Sequence, residues 1–125
     1  MSILRGVVEQ LATVAGFSEK DCRSITLAID EACTNIIRHA YQSRDDGRIE
    51  LLCREHDDRV EFILTDYGRP VDLARLRSRS LDEVREGGLG THLIAFAMDQ
   101  VEYDRVNNAN QLRLVKYRTN RKPEE

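Results

Sequence analysis

The sequence contains no tryptophan, only two prolines and only three cysteines. The cysteines stand at positions 22, 33 and 53 without a Cys-x-x-Cys pair, so they predict neither a disulfide framework nor a zinc site. Cys22 and Cys33 are about three helical turns apart and would share one face of a helix. We expect both to pack in a core, as small hydrophobic residues do.

Long uncharged stretches are also absent. The longest runs from Gly87 to Met98, well short of the ~20 residues of a membrane-spanning helix. The N-terminus has no basic segment followed by a long apolar run, so we expect no secretory signal. The chain has 22 acidic and 19 basic residues and a net charge of −3, whereas general nucleic-acid binders carry a basic excess. These absences predict a cytoplasmic protein that binds neither membranes nor nucleic acids.

What remains is the composition of an ordinary globular protein. Hydrophobic residues make up 41% of the 125 residues and charged residues 33%, which suits one domain with one core. No repeat or linker divides the chain. We expect a single domain over residues 1–125, with a polar, arginine-rich loop at about 71–87 and a charged tail at 119–125.

Two helices are predicted at the start of the chain. Between Leu4 and Ala15 the apolar residues recur with the i, i+3, i+4 spacing of an amphipathic helix, and Gly16 is a natural end. A serine at 18 and an aspartate three residues later resemble a capping box. The apolar pattern that follows predicts a long helix, central to the core, that reaches Ala40.

Runs of β-type residues predict four strands, arranged as two hairpins on either side of a third helix. The strands are expected at residues 49–53, 60–64, 101–106 and 112–117, and the helix at residues 91–98. This order predicts an α+β fold, a two-layer α/β sandwich whose mixed, mostly antiparallel sheet carries its helices on one face.

Polar side chains interrupt the second predicted helix. Glu31 and Asn35 are four residues apart and project from one face, which Arg38 and His39 continue. Such a cluster is most often only the solvent-exposed side of a helix. Alternatively, a carboxylate beside an amide oxygen suits a hydrated magnesium ion and the positioning of a nucleophile.

Asp66-Tyr67-Gly68 stands at the end of a predicted strand. Asp-x-Gly is a common turn, and that is the simpler interpretation. A carboxylate at this position can also accept a hydrogen bond from an exocyclic amine, and the glycine lets a planar ring approach the backbone.

Gly87-Gly88-Leu89-Gly90 precedes the third predicted helix. One interpretation is a flexible turn. The other is a phosphate site, because glycines before a helix expose backbone N–H groups at the positive end of the helix dipole. The pattern is neither a P-loop nor a dinucleotide-binding fingerprint.

The joint order and spacing of these three motifs resemble the histidine-kinase-like, or Bergerat-fold, ATPases. Residues 31–41 resemble the N box of that family, residues 66–70 its first glycine box and residues 87–90 its second. Glu-Ala-x-x-Asn followed by His-Ala-Tyr, together with residues 98–103, is similar to the branch of anti-sigma-factor serine kinases. The likeness extends over roughly residues 4–117.

The resemblance implies a role for each motif. Asn35 would hold the Mg²⁺ that bridges the phosphates of ATP, and Glu31 would act as the base on an attacking hydroxyl. Asp66 would accept a hydrogen bond from the adenine amino group, and Gly68 would give the base room. The remaining nucleotide contacts would come from Arg38, Gly88, Leu89, Gly90 and Thr91.

The resemblance further implies a serine/threonine protein kinase that phosphorylates a small anti-anti-sigma factor and thereby regulates a sigma factor by partner switching. It also allows a homodimer. Two alternatives stay open: a nucleotide-binding module that docks a partner without kinase activity, and an ATPase module of a larger signalling system. Glu31 favours the kinase, because nucleotide binding alone does not require a base.

The chain departs from the family's pattern in three places. Its helical pattern begins at Leu4, where the family usually has a preceding strand. The sequence therefore does not predict what forms one edge of the sheet, or whether that edge makes a dimer contact. Asn110 and Gln111 stand where Gly-Thr is common, and Thr91 where an aliphatic residue is usual.

The loop at 71–87 has two interpretations, since its arginines are either solvated or able to close over the γ-phosphate. The arginines within or beside it are Arg69, Arg75, Arg77, Arg79 and Arg85.

Overall fold

The structure is a computed structural model that describes residues 2–41, 47–70 and 90–118. The elements in chain order are α1 (Ser2–Val14), α2 (Glu19–Asn35), a π-helical segment (Ile36–Ala40), β1 (Ile49–Glu55), β2 (Arg59–Asp66), α3 (Gly90–Ala97), β3 (Gln100–Val106) and β4 (Ala109–Tyr117). The predicted order of helices and strands is confirmed. The predicted loop at 71–87 and the tail at 119–125 lie outside the described residues. Within the described ranges, no helix is long and apolar enough to cross a bilayer.

The described strands form one sheet in the order β1-β2-β4-β3, and every pairing is antiparallel. The helices pack on one face of this sheet, which confirms the predicted α+β sandwich. Helices and sheet share one apolar core. Every second residue of β2 and β4 points into it, because successive side chains of a strand point to opposite faces of the sheet. The largest fully buried side chains are Phe62, Ile25, Ile29, Leu64, Leu114, Val8, Val60 and Val115.

Both core cysteines lie where the sequence predicted them. Cys22 is 4% exposed and Cys33 is 1% exposed. Burial, and to a smaller extent the charge of Asp30, raises the pKa of the Cys33 thiol to about 12. This thiol therefore stays protonated near neutral pH and contributes by packing.

Helix α1 buries only half of its predicted apolar face. Val8 and Ala12 are fully buried, because this side of α1 packs against α2 and the core. Val7 and Leu11 were predicted on the same face but remain 48% and 37% exposed. In the described part of the chain, the apolar arc of α1 is thus wider than the surface available to cover it.

Helix α2 begins as predicted and ends differently. The Oγ of Ser18 accepts a hydrogen bond from the Asp21 N–H at 3.1 Å, which satisfies one of the unpaired donors of the first turn. The prediction of a regular α-helix up to Ala40 is wrong in its last turn, because residues 36–40 are π-helical. There the Tyr41 N–H donates to the Ile36 carbonyl oxygen at 3.1 Å, an i→i+5 closure of the kind often found at functional sites.

The β3–β4 hairpin turns on two asparagines in left-handed conformation. Asn107 has φ of 52° and Asn108 has φ of 65°, as two-residue hairpin turns require, and asparagine tolerates this region better than most residues. The turn sets a register in which Arg105 lies opposite Asn110. Asn110 in turn lies opposite Asp66 on β2, so these three residues form one row across three neighbouring strands.

An ion-pair network centred on the buried Glu61 occupies the sheet face opposite the helices. Glu61 is only 4% exposed, and its carboxylate contacts His56 Nε2 at 2.7 Å and the Nε of Arg113. Arg113 continues the chain of contacts to Glu102 on β3. The hydrogen bond with His56, aided by Arg113 and opposed by burial, holds the pKa of the Glu61 carboxyl below its ordinary value.

This network predicts acid sensitivity. A carboxyl with a lowered folded-state pKa stabilises the fold above its unfolded-state pKa, and that stabilisation is lost as the pH falls through the folded-state value. Urea unfolding from about pH 7 to about pH 3 should therefore show a steeper loss of stability for the wild type than for Glu61→Gln. The exposed Glu9→Gln variant should keep the wild-type slope. Identical slopes for wild type and Glu61→Gln would contradict a stabilising role of the ionised carboxylate.

Candidate functional site

The two predicted site residues of α2, Glu31 and Asn35, lie at its C-terminal end, directly before the π-helical segment. Glu31 and Asn35 are both half-buried and share one helix face. Among the described residues, neither side chain takes part in a hydrogen bond. Arg38, predicted on the same face, lies within the π-helical segment and is exposed. Within the described residues, the α2 end thus carries a carboxylate and an amide on one face with no hydrogen-bond partner.

The turn after β2 is attached to the end of this helix. The backbone N–H of Arg69 donates to the Ala40 carbonyl oxygen at 3.1 Å, and its Nε donates to the His39 carbonyl oxygen at 2.8 Å. A Cβ at Gly68 would come within 2.5 Å of that same Ala40 oxygen. Glycine is therefore required at this position by the fold itself, in addition to the role that the resemblance implies for it.

Tyr41 completes this attachment, although the sequence motifs assigned it no role. Its hydroxyl donates to the Arg48 carbonyl oxygen before β1 and accepts from the Tyr67 N–H at 2.8 Å. One phenol thus joins the end of the helix to both strands of the first hairpin. The only sequence signal was its place at the end of the N-box pattern.

Among the predicted site residues whose burial the structure describes, Asp66 is the most buried, at 2% exposed. Its Oδ1 accepts hydrogen bonds from the Gly68 N–H at 3.0 Å and from Asn110 Nδ2 at 2.9 Å. Within the described residues, its Oδ2 accepts none. A buried carboxylate with one oxygen already bonded and the other open is suited to accept a hydrogen bond from a ligand amine.

The sequence predicted Asn110 as a departure from the family's pattern and as part of the turn at residues 107–110, whereas the structure places it within β4. The sequence did not single out Arg105. Asn110 is 4% exposed and donates through Nδ2 to Arg69 O at 2.8 Å as well as to Asp66. Its Oδ1 accepts from Arg105 at 2.9 Å. The signal that could have revealed this network was an asparagine at the start of β4 whose side chain shares a sheet face with the core residues Leu112 and Leu114.

The phosphate end of the predicted site is described only in part. Gly90 is the first residue of α3 and Thr91 the second, so the predicted helix after the glycine motif is present. Gly88 and Leu89 lie outside the described residues. So do Arg75, Arg77, Arg79 and Arg85 of the predicted loop.

No group of three or more His, Cys, Asp or Glu side chains that could hold a metal occurs in the described ranges. A dedicated protein cage for a cation is therefore not seen there. A magnesium ion held by one side-chain oxygen, nucleotide phosphates and water needs no such cage. The half-buried Asn35 amide fits that kind of site.

These features form one arrangement, with a carboxylate–amide pair at a helix end joined to a buried aspartate at the end of a strand. Residues 1–116 match the sequence profile of the histidine kinase-like ATPase domain family. The chain belongs to this family. The resemblance inferred from the three motifs is thereby confirmed.

Several relatives of this family member carry the name serine-protein kinase RsbW. The protein from Halalkalibacterium halodurans is 34% identical over 110 residues, covering 82% of this chain and 67% of the relative. The protein from Bacillus velezensis is 29% identical over 125 residues, covering 94% and 78%. The protein from Bacillus subtilis is 30% identical over 109 residues, covering 81% and 68%. These relatives support the serine-kinase branch that the motifs indicated.

Solved structures of histidine kinases share the fold of this family member. The histidine kinase domain of the blue-light activated histidine kinase EL346 from Erythrobacter litoralis aligns with a TM-score of 0.55 and 19% identity, over 77% of this chain and 47% of that one. A second structure of EL346 aligns with a TM-score of 0.59 and 18% identity, over 80% and 31%. This chain thus spans less than half of either structure, and at this identity the likeness concerns the fold.

Proposed function

We propose that this chain is a serine/threonine protein kinase of the anti-sigma-factor type, which transfers the γ-phosphoryl group of ATP to a hydroxyl of a protein partner. The observation that carries the proposal is the half-buried Glu31 one turn from Asn35, at a helix end joined to the buried Asp66. The name serine-protein kinase, shared by relatives that are 29–34% identical, supports the activity. None of the relatives reported above favours a binding module without kinase activity.

Each residue of the site would act on a different part of the substrate. Asp66 would bind the adenine amino group through Oδ2, and Asn35 would hold Mg²⁺ through its amide oxygen. Mg²⁺ would neutralise charge on the phosphates, as it does in phosphoryl transfer generally. Glu31 would take the proton from the incoming Ser or Thr hydroxyl. Most of the rate enhancement would come from positioning and charge stabilisation.

The partner in this proposal is a small anti-anti-sigma factor. Phosphorylation adds close to two negative charges to a surface hydroxyl, which is enough to switch a docking surface between partners. The unmodified partner would release a sigma factor held by the kinase. Because a sigma factor works where transcription takes place, the proposal places this chain in the cytoplasm.

The proposal is tested by phosphoryl transfer. The chain is incubated with labelled Mg²⁺-ATP and with an anti-anti-sigma protein encoded beside its gene, and the phosphorylated residue is identified by mass spectrometry. Transfer to a single Ser or Thr of that protein is expected. ATP binding without transfer to it, or to any protein that co-purifies with the chain, would instead support the partner-docking module.

Asn35→Ala provides a separate test of the metal site. Removing the amide oxygen should weaken binding of Mg²⁺-ATP by roughly tenfold or more, the scale of one hydrogen bond or ligand contact to a charged group. Binding of ATP in EDTA should change little, because Asn35 acts through the metal in this proposal. Calorimetry in both conditions measures the difference. An equal loss with and without Mg²⁺ would assign Asn35 a structural role only.

A further inference from the structure

Asp66 does not stand alone in the sheet. On the face that carries the helices, Asp66 of β2, Asn110 of β4 and Arg105 of β3 lie directly opposite one another in register. Asn110 donates to Asp66 Oδ1 at 2.9 Å and accepts from Arg105 at 2.9 Å. A chain of hydrogen bonds therefore runs from the edge strand to the buried carboxylate.

The hydrogen bonds of Asn110 fix which way its amide points. Its Oδ1 faces the guanidinium of Arg105, which can only donate, so its Nδ2 must face Asp66 and the Arg69 carbonyl oxygen. Arg105 is itself held in place by the carbonyl oxygens of Gly68 and Asn108, each at 3.3 Å. In the reversed amide, Nδ2 would face the guanidinium of Arg105, which is also a donor, and Oδ1 would face two other acceptors, Asp66 Oδ1 and the Arg69 carbonyl oxygen.

We infer that Asn110, oriented by Arg105, is a positioning residue that makes the site selective for the 6-amino group of adenine. It occupies Oδ1 of Asp66 and so leaves Oδ2 as the acceptor for the ligand. Without Asn110 the carboxylate keeps, among the residues the structure describes, the Gly68 N–H alone as a hydrogen-bond partner and can rotate about its χ2 torsion, which is broad for aspartate. The inference rests on the proposed function, because it presumes that Asp66 meets adenine.

The consequence is a specific change in nucleotide preference. ATP and purine riboside triphosphate differ only in the 6-amino group, so the ratio of their dissociation constants reports the contacts of that group, and Asp66→Ala gives the share that Asp66 contributes. The wild type should prefer ATP by roughly 10- to 100-fold, the range for a hydrogen bond to a charged partner. A variant that only destabilises the fold weakens the binding of both nucleotides alike and leaves the ratio of their dissociation constants unchanged.

The experiment measures the dissociation constants of both Mg²⁺-nucleotides by calorimetry on the full chain. Asn110→Ala should lower the preference for ATP to a few-fold, and the exposed Arg105→Gln should lower it partly. Asp66→Ala should abolish it. Gln111→Ala is the matched control on the same strand and should keep the wild-type ratio, because its side chain points to the opposite sheet face. Melting temperatures establish that each variant is folded.

The outcomes separate the inference from the proposed function. If the wild type binds neither nucleotide, the proposed function fails and the inference fails with it. If Asp66→Ala loses the preference while Asn110→Ala and Arg105→Gln keep it, Asp66 binds adenine but the positioning role is overturned. A reduced ratio in Arg105→Gln, where Asn110 itself is intact, would be direct support for the hydrogen-bond chain.

Discussion

Glu31→Gln is expected to slow phosphoryl transfer by roughly 100- to 10,000-fold, or about 3–5 kcal/mol of activation free energy. The substitution keeps the size of the side chain and its capacity for hydrogen bonds but removes the proton acceptor. Affinity for Mg²⁺-ATP should change far less, because Asn35 and Asp66 remain. Transfer of label to the partner and calorimetric ATP binding, measured on the same preparation, give the two quantities.

Asp30→Asn is the matched control for this experiment. It makes the same chemical change one residue earlier, where the carboxylate lies 3.8 Å from Arg5 of α1. This variant should transfer phosphate at close to the wild-type rate. If Glu31→Gln were as fast as Asp30→Asn, Glu31 would not be the base. If both were equally slow, the loss would reflect the stability of α2 and not its chemistry.

Gly68→Ala should lower the free energy of unfolding by about 1–3 kcal/mol, the usual cost of forcing an extra carbon into a packed region. The new Cβ would meet the carbonyl oxygen, carbonyl carbon and Cβ of Ala40 at 2.5 to 2.7 Å. Two of these three atoms are backbone, so relief requires the helix end and the strand end to move apart. Thermal and urea unfolding measure the loss.

Gly6→Ala is the corresponding control, with the opposite sign. Gly6 lies within α1, and a Cβ there meets nothing within 4 Å. Alanine should therefore stabilise the fold by roughly 0.5–1 kcal/mol through the lower entropy of the unfolded chain and better helix propensity. A Gly68→Ala protein as stable as Gly6→Ala would mean that the close approach to Ala40 is not required.

Much of the fold was predictable because local patterns and tertiary structure agree. The capping pair at the start of α2, the buried cysteines and the paired strands all follow from periodicity and turn chemistry. The π-helical end of α2 was not predictable, since no local signal distinguishes it from a regular turn. Bonds from Arg69, thirty residues later in the chain, hold its carbonyl oxygens at 39 and 40. Likewise, the spacing that placed Val7 on an apolar face carries no information on whether another element covers it.

In the candidate site, too, some residues could be predicted from local patterns and others could not. Glu31, Asn35 and Asp66 could be singled out because each breaks an apolar pattern or begins a turn. Arg105 could not, because a charged residue on an edge strand is ordinary and only the strand register brings it to Asn110. Contacts between strands depend on which residues face each other, and a single sequence does not state that pairing.

The two-asparagine turn between β3 and β4 decides how the site would respond to a deletion at its tip. Strand β4 is paired on both sides and buries Leu112 and Leu114, whereas β3 lies at the edge of the sheet formed by the described strands and has almost every residue exposed. A one-residue deletion in the turn would therefore displace β3 and not β4, and would turn Arg105 to the opposite face. The contact between Asp66 and Asn110 would survive such a change. The hydrogen bond between Asp66 and Asn110 is therefore independent of the length of the hairpin, whereas the hydrogen bond between Asn110 and Arg105 depends on it.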